Sequence, residues 1–361
     1  MPVTVEELST LDRARGALAR SLKHLPEPAR AGLAGAEPVV LDGQVLDPDI
    51  QLMLAVQEKL DEPPMESLPV DQARRWYAKE FAAIAPPTQR VYHVEELTLP
   101  GPAGDVPARL YSPPTDPAGL PMLVHYHGGG HVVGGPDTCD YASRLVVNGS
   151  GAAVLSVDYR MGPEQPLPAS AEDCEAAFRF AVENADRFGV DPERIAVGGD
   201  SAGGNLGAVV SQAMKTAGGP MPAFQWLIYP STALDAKTRS YELFKEGFLL
   251  TESLMDWFRD NFLGDADPSD VRASPMNAED LSGLPPAYVA TAGFDPLRDE
   301  GEAYAARLTE AGVPCALQRF RSLPHGFANL TGVSHGAHDA MQQAVGALSM
   351  GLAAGGAQSD R

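Results

Sequence analysis

Arg194-Ile195-Ala196-Val197-Gly198-Gly199-Asp200-Ser201-Ala202-Gly203-Gly204-Asn205-Leu206-Gly207-Ala208-Val209-Val210 joins a short apolar run to a helical run through a glycine-rich turn with a serine at its centre. The apolar run has the length and β-branched content of a buried strand. The segment after the turn has the small and apolar residues of a buried helix. Gly199-Asp200-Ser201-Ala202-Gly203 fits the G-x-S-x-G pattern of a nucleophile elbow, which requires a strand before it and a helix after it. The helix dipole would favour negative charge developing at Ser201. A serine that merely caps the helix after a buried strand fits the same residues.

Upstream and downstream the same alternation repeats. Short apolar runs fall at 122–126, 153–157, 195–198, 224–229, 287–291 and 315–320, with helical stretches near 138–148, 170–187, 202–217, 299–312 and 336–353. Alternating β and α with continuously apolar strands predicts an α/β fold with a mostly parallel sheet covered on both faces. An alternating hairpin, 91–99 with 106–111, precedes it around Gly101-Pro102-Ala103-Gly104. Before residue 85 the pattern is helical instead, with helices expected over 4–24, 48–59 and 70–84, the last stopped by Pro86-Pro87. Residues 232–280 interrupt the alternation with an aromatic-rich stretch that includes Phe248, Leu249, Leu250 and Trp257. These four are the candidate substrate-binding residues of a lid; a helical excursion packed on the core is the plainer alternative.

His127-Gly128-Gly129-Gly130 ends the 122–126 run. Acyl transfer develops an oxyanion that needs backbone N–H groups aimed at it, and glycines let the backbone approach without a Cβ in the way. The candidate donors are the N–H groups of Gly129, Gly130 and Ala202, with His127 and Gly128 supporting the loop. A flexible turn is the alternative for the glycines. His125, His127 and His131 could instead be metal ligands, but the motif has no carboxylate and the glycines leave the third histidine loose.

A nucleophile elbow is followed in the chain by an acid and then a histidine. Three histidines follow Ser201. His325 lies in a loop just past the last strand, whereas His335 and His338 open the terminal helix. For the acid, Asp299 stands at a helix start with Glu302 three residues on, as in a capping box. Asp295 has no such structural task and is the candidate orienting acid. Asp158-Tyr159-Arg160 with Glu164 fits substrate contact less well than an ion pair bracing the sheet edge.

The balance of the chain narrows its partners. A net charge of −21 over 361 residues would repel nucleic acid and anionic membrane surfaces alike. Cys139, Cys174 and Cys315 are widely spaced and odd in number, which supports neither a disulfide framework nor a cysteine zinc site; they read as small apolar residues. The start, Met1-Pro2-Val3-Thr4-Val5-Glu6-Glu7-Leu8, has no signal-peptide pattern, and no apolar run reaches ~18 residues, so a cytoplasmic protein without a membrane span is expected.

Taken in order, His127-Gly128-Gly129-Gly130, Asp158-Tyr159-Arg160 with Pro163-Glu164, the elbow through Asn205, Asp295-Pro296-Leu297-Arg298-Asp299-Glu300-Gly301 and His325-Gly326-Phe327 resemble the hormone-sensitive-lipase-like branch of the α/β-hydrolase superfamily, over about residues 85–350. Met161-Gly162 departs from the Leu-Ala common there. The resemblance implies a carboxylic ester hydrolase for short- to medium-chain acyl esters. It further implies a covalent acyl-enzyme and a triad of Ser201, His325 and Asp295, with no metal or organic cofactor. Residues 1–85 and 232–280 would form a helical cap on a catalytic domain over 86–361, and a homodimer is compatible with it. Amidase, peptidase or deacetylase activity fits the same scaffold. Loss of the histidine marks the related plant hormone receptors, and its presence favours an enzyme.

Overall fold

The computed structural model describes residues 8–35, 37–60, 63–114 and 119–356. The described chain opens with α1 (Thr10–Leu22), α2 (Glu27–Ala34), a small hairpin of β1 (Val40–Leu41) and β2 (Gln44–Val45), α3 (Pro48–Leu60) and α4 (Val70–Ile84). The three helices expected from periodicity are present; the first starts at Thr10, capped by Ser9, and residues 4–7 of the expected span lie outside the described residues. α2 and the hairpin lie in a stretch without a clear period. α1 packs on α4 so closely that a Cβ at Gly16 would lie 2.0 Å from the Ala83 carbonyl oxygen.

Next come β3 (His93–Gly101) and β4 (Gly104–Ser112), an antiparallel pair registered Gly101 to Gly104. The alternating part follows: β5 (Leu120–Tyr126), α5 (Asp140–Ser150), β6 (Ala153–Val157), α6 (Ala169–Glu183), α7 (Ala185–Phe188), β7 (Val190–Asp200), α8 (Ala202–Ala217) and β8 (Gln225–Ile228). After α9 (Arg239–Phe244) and α10 (Glu252–Leu263) the chain resumes with β9 (Ala287–Phe294), α11 (Arg298–Glu310), β10 (Cys315–Pro324) and α12 (His335–Gly356). These strands order as β10-β9-β8-β7-β5-β6-β4-β3. All neighbours from β10 to β6 are parallel, and β4 and β3 add antiparallel strands at one edge. This is an α/β-hydrolase fold.

Side-chain alternation divides the core between the two faces. Leu123, Val154, Ala196 and Trp226 meet α5 and α12, and the buried Trp226 indole N–H donates to the Ala344 carbonyl at 2.8 Å. Met122, Val124, Leu155 and Val197 point the other way, onto α6 and α8. Both faces are covered, so β6, β8 and β9 are buried along their whole length and read as mostly apolar runs, each with a single buried polar side chain, Ser156, Gln225 or Thr291.

α8 lies almost against β5. A Cβ on either Gly199 or Gly203 would stand 1.8 Å from the Tyr126 carbonyl oxygen, a backbone atom that cannot move aside. Gly203→Ala should therefore abolish recovery of folded protein. Gly32→Ala in α2, where nothing lies within 4 Å, should raise stability by about 0.5–1 kcal/mol. Soluble yield and thermal unfolding of both variants test the contrast.

One expected pairing is not made. Arg160 does not meet Glu164; it forks onto the fully buried Asp173 carboxylate at 2.8–3.0 Å. Glu164 turns outward to Arg74 of α4. The alternative would leave Asp173 as an unpaired buried charge, which costs several kcal/mol. Cys139 and Cys174 are buried, while Cys315 is partly exposed.

Candidate active site

The parallel strands end on one side, and the loops leaving them carry the candidate residues, as open α/β sheets generally arrange their sites. Ser201 directly follows β7 and precedes α8. Its backbone takes φ 55°, ψ −116°, a conformation a non-glycine residue adopts only under constraint. Its N–H donates to the Ile228 carbonyl at 2.8 Å, which fixes the turn and projects Oγ above the sheet.

His325 Nε2 lies 2.9 Å from Ser201 Oγ, and His325 Nδ1 lies 2.9 Å from Asp295 Oδ2. Asp295 is fully buried. Its other oxygen, Oδ1, accepts the Leu297 N–H at 2.8 Å, so the carboxylate is held from both sides. His335 and His338 are elsewhere: His335 meets Asp49 of α3, and His338 pairs with Gln342. Asp299 forms no capping box. α11 begins at Arg298 with Leu297 at its N-cap, which puts Asp299 inside the first turn, where its carboxylate accepts the Ser240 N–H while its own N–H donates to Ser240 Oγ. Its task is structural, but of a different kind from the expected one.

The glycine loop after β5 bends back towards Ser201. Gly129 and Gly130 have φ of 114° and 60°, values that exclude most side chains. The Gly129 carbonyl accepts the N–H groups of Val132 and Val133, each at 3.0 Å. Among the described residues, the N–H groups of Gly129, Gly130 and Ala202 donate to no other protein group. Gly128 donates to Asp200 Oδ1 at 3.0 Å, tying the loop to the elbow. Burial pushes the Asp200 carboxyl above its usual range, against the lowering effect of the Gly128 N–H. The Tyr229 hydroxyl donates to Asp200 Oδ2 at 3.3 Å and accepts the Ala328 N–H, three residues past His325. One acid and one phenol thus join three loops. The signal in the sequence was a carboxylate between the apolar end of β7 and the serine.

His127 supports the loop rather than facing Ser201. Its ring stacks on Tyr159 at 4.2 Å, its Nδ1 donates to the Gly128 carbonyl at 2.8 Å, and burial lowers its pKa to about 4, which keeps it neutral. His131 stacks on Phe262 and His125 lies against Trp226. Among the described residues no group of three His, Cys, Asp or Glu side chains could hold a metal ion.

A cavity of about 1610 Å³ contains Ser201, His325, Gly129 and Gly130. Phe248, Leu249 and Leu250 line it, but Trp257 does not. Leu254, Phe258 and Phe262 do, because a spacing of four residues places them on one face of α10, and Trp257 falls outside that phase. α1, α3 and α4 supply a further wall, including Leu18, Leu22, Met53 and Tyr77. Glu300 also lines the cavity. Burial raises its pKa from 4.5 to about 8, partly offset by the N–H groups of Thr232 and Ala233, which its Oε1 accepts. The folded state therefore holds a proton that the unfolded chain has released, so this group weakens the fold as pH rises from about 4.5 to about 8. Glu300→Gln should remove that slope. Thermal unfolding of both forms should diverge from pH 5 to 8; a gap independent of pH would mean that Glu300 is ionised.

Among the described residues no helix is long and apolar enough to cross a membrane. Residues 123–329 match the family model described as the alpha/beta hydrolase fold. The chain is 46% identical to the carboxylic ester hydrolase LipN of Mycobacterium tuberculosis, over 91% of this chain and 89% of that one. It is 33% identical to the ethyl acetate hydrolase of Pseudomonas putida, over 80% and 92%. Among solved structures it resembles an ester-hydrolase from the metagenome of Lake Arreo, complexed with a phosphonate derivative, with TM-score 0.82 and 41% identity over 84% of this chain and 98% of that one. The chain belongs to the α/β-hydrolase fold family, in its hormone-sensitive-lipase-like branch, and is an enzyme of carboxylesterase type.

Proposed function

We propose that the protein hydrolyses short- to medium-chain acyl esters through Ser201, His325 and Asp295 by way of a covalent acyl-enzyme. The observation that carries this reading is the unbroken hydrogen-bond line from Ser201 Oγ through both ring nitrogens of His325 to Asp295 Oδ2. His325 Nε2 takes the Ser201 proton as Oγ attacks the ester carbonyl. Asp295 keeps the other ring proton on Nδ1 and stabilises the imidazolium. The negative charge on the former carbonyl oxygen meets the N–H groups of Gly129, Gly130 and Ala202. As the intermediate collapses, the carbon–oxygen bond to the alcohol breaks and His325 returns the proton to that oxygen. Water then attacks the acyl-enzyme with His325 again as base, releasing the acid and restoring Ser201.

Residues 1–85 and 232–280 act as a cap that encloses the ester over the catalytic domain at 86–361. The cavity exceeds the ~300–1,000 Å³ typical of small-molecule sites, so it has room for the alcohol part beside an acyl chain of intermediate length. A panel of activated esters of rising acyl length, run beside an anilide and an acetylated sugar, tests the substrate class. Preference for the short and middle esters is expected; faster anilide turnover would move the reading to an amidase. An organophosphonate should add one adduct per chain, on Ser201, and its absence would remove the acyl-enzyme.

A further inference from the structure

We infer that Arg74, on α4, is a positioning residue of the reaction: it clamps the glycine loop that receives the developing oxyanion. This rests on the proposed roles of Gly129 and Gly130. Arg74 Nε donates to the Val132 carbonyl at 2.8 Å. Nη2 donates to the Gly162 carbonyl at 2.7 Å, and Nη1 and Nη2 hold the two oxygens of Glu164 at 2.9 and 2.7 Å. The guanidinium thus joins three points on two loops, using donors whose fixed fork no other side chain reproduces.

Each point bears on the glycine loop. The Val132 N–H closes the turn onto the Gly129 carbonyl, so holding the Val132 carbonyl fixes the next peptide plane along. The Gly162 N–H donates to the His131 carbonyl at 2.9 Å, so Gly162 is bonded to the loop on one side and to Arg74 on the other. Gly129 to Val132 therefore lies between its own turn and a bracket supplied by an N-terminal helix. Glu164 is 58% exposed in its side chain, which makes the ion pair itself worth little. Its effect is to hold the guanidinium plane so that the remaining donors meet the two carbonyls. A pair of donors aimed at an oxyanion works only when preorganised, and a displacement of about 1 Å can cost 10²-fold.

Arg74→Ala, Arg74→Lys and the control Arg75→Ala distinguish this from mere packing. Arg75 is one residue along the same helix and, among the described residues, pairs with the exposed Asp71. The measurements are kcat and KM for an activated ester, active-site titration with an organophosphonate, thermal unfolding, and activity with added methylguanidinium. Arg74→Ala should lose about 10²-fold in kcat with KM within twofold of wild type and a full titre of reactive serine. Methylguanidinium should recover part of the loss, and Arg74→Lys should stay impaired. Arg75→Ala should match wild type. Wild-type kcat in Arg74→Ala overturns the inference, and so does a loss that follows the titre or the unfolding midpoint. Failure of the wild-type enzyme itself to be labelled would instead overturn the proposed mechanism, so the two failures are separable.

Discussion

Ser201→Ala should lower turnover of an activated ester by about 10⁶-fold, the scale seen when the nucleophile of another serine hydrolase is removed. The substitution deletes one oxygen. Alanine must take the same φ of 55°, so the backbone strain is unchanged, and the lost contact is the hydrogen bond to His325 Nε2. The unfolding midpoint should move by a few degrees at most, which separates chemical loss from misfolding. Affinity for an ester should survive, because the cavity walls and the three free N–H groups remain. A variant that keeps more than about one part in 10³ of the activity after careful exclusion of wild-type contamination would show that another group attacks the ester.

Asp295→Asn should cost about 10⁴-fold in kcat, the loss documented for such a change in serine proteases. The local bonds give the reason. Asp295 Oδ1 accepts the Leu297 N–H, so an asparagine at this position would keep its carbonyl oxygen there and turn its NH₂ group towards His325 Nδ1. An NH₂ group donates, so Nδ1 must become the acceptor and the ring proton must sit on Nε2. The imidazole would then donate to Ser201 Oγ and could not take its proton. Raising the pH should not restore the rate, because the fault lies in the tautomer and not in the charge. A loss below tenfold would mean that another carboxylate orients His325. Glu300, which lies close enough to raise its own pKa through Asp295, would be the first to examine.

Much of this architecture was legible in the residues, and the exceptions have physical causes. β6 and β9 were plain because helices cover them on both faces, so every position is buried and, apart from Ser156 and Thr291, carries no strongly polar side chain. β7 was read five residues short at its start. Asp191, Pro192, Glu193 and Arg194 lie outside the covered part and keep the polarity of a surface. The placement of Asp295 and His325 followed from chain order and strand ends, which topology imposes. Trp257 belongs to the same aromatic stretch, but helical phase places Phe258 on the cavity wall instead. The Asp299–Glu302 spacing suited a capping box, but that motif depends on where the helix begins, and with the N-cap two residues earlier, at Leu297, the carboxylate meets Ser240 instead. Arg74 and Glu164 are 90 residues apart, and no periodicity links two partly exposed polar groups across such a distance.

The contact of Gly199 and Gly203 with the Tyr126 carbonyl oxygen has a meaning beyond packing. Tyr126 ends the strand that continues into His127 and the glycine loop, so a single peptide abuts both the turn bearing the proposed attacking atom and the root of the proposed anion cradle. Thermal movement of β5 carries the two together, and their mutual alignment behaves as one rigid body. Whereas α4 is tied to the glycine loop through Arg74, accommodation of differently shaped guests must then come from the other surrounding walls, α1, α3 and α10, which share no such weld with Tyr126. Selection can therefore reshape what the enzyme admits by changing those helices while the alignment of its reacting parts stays untouched.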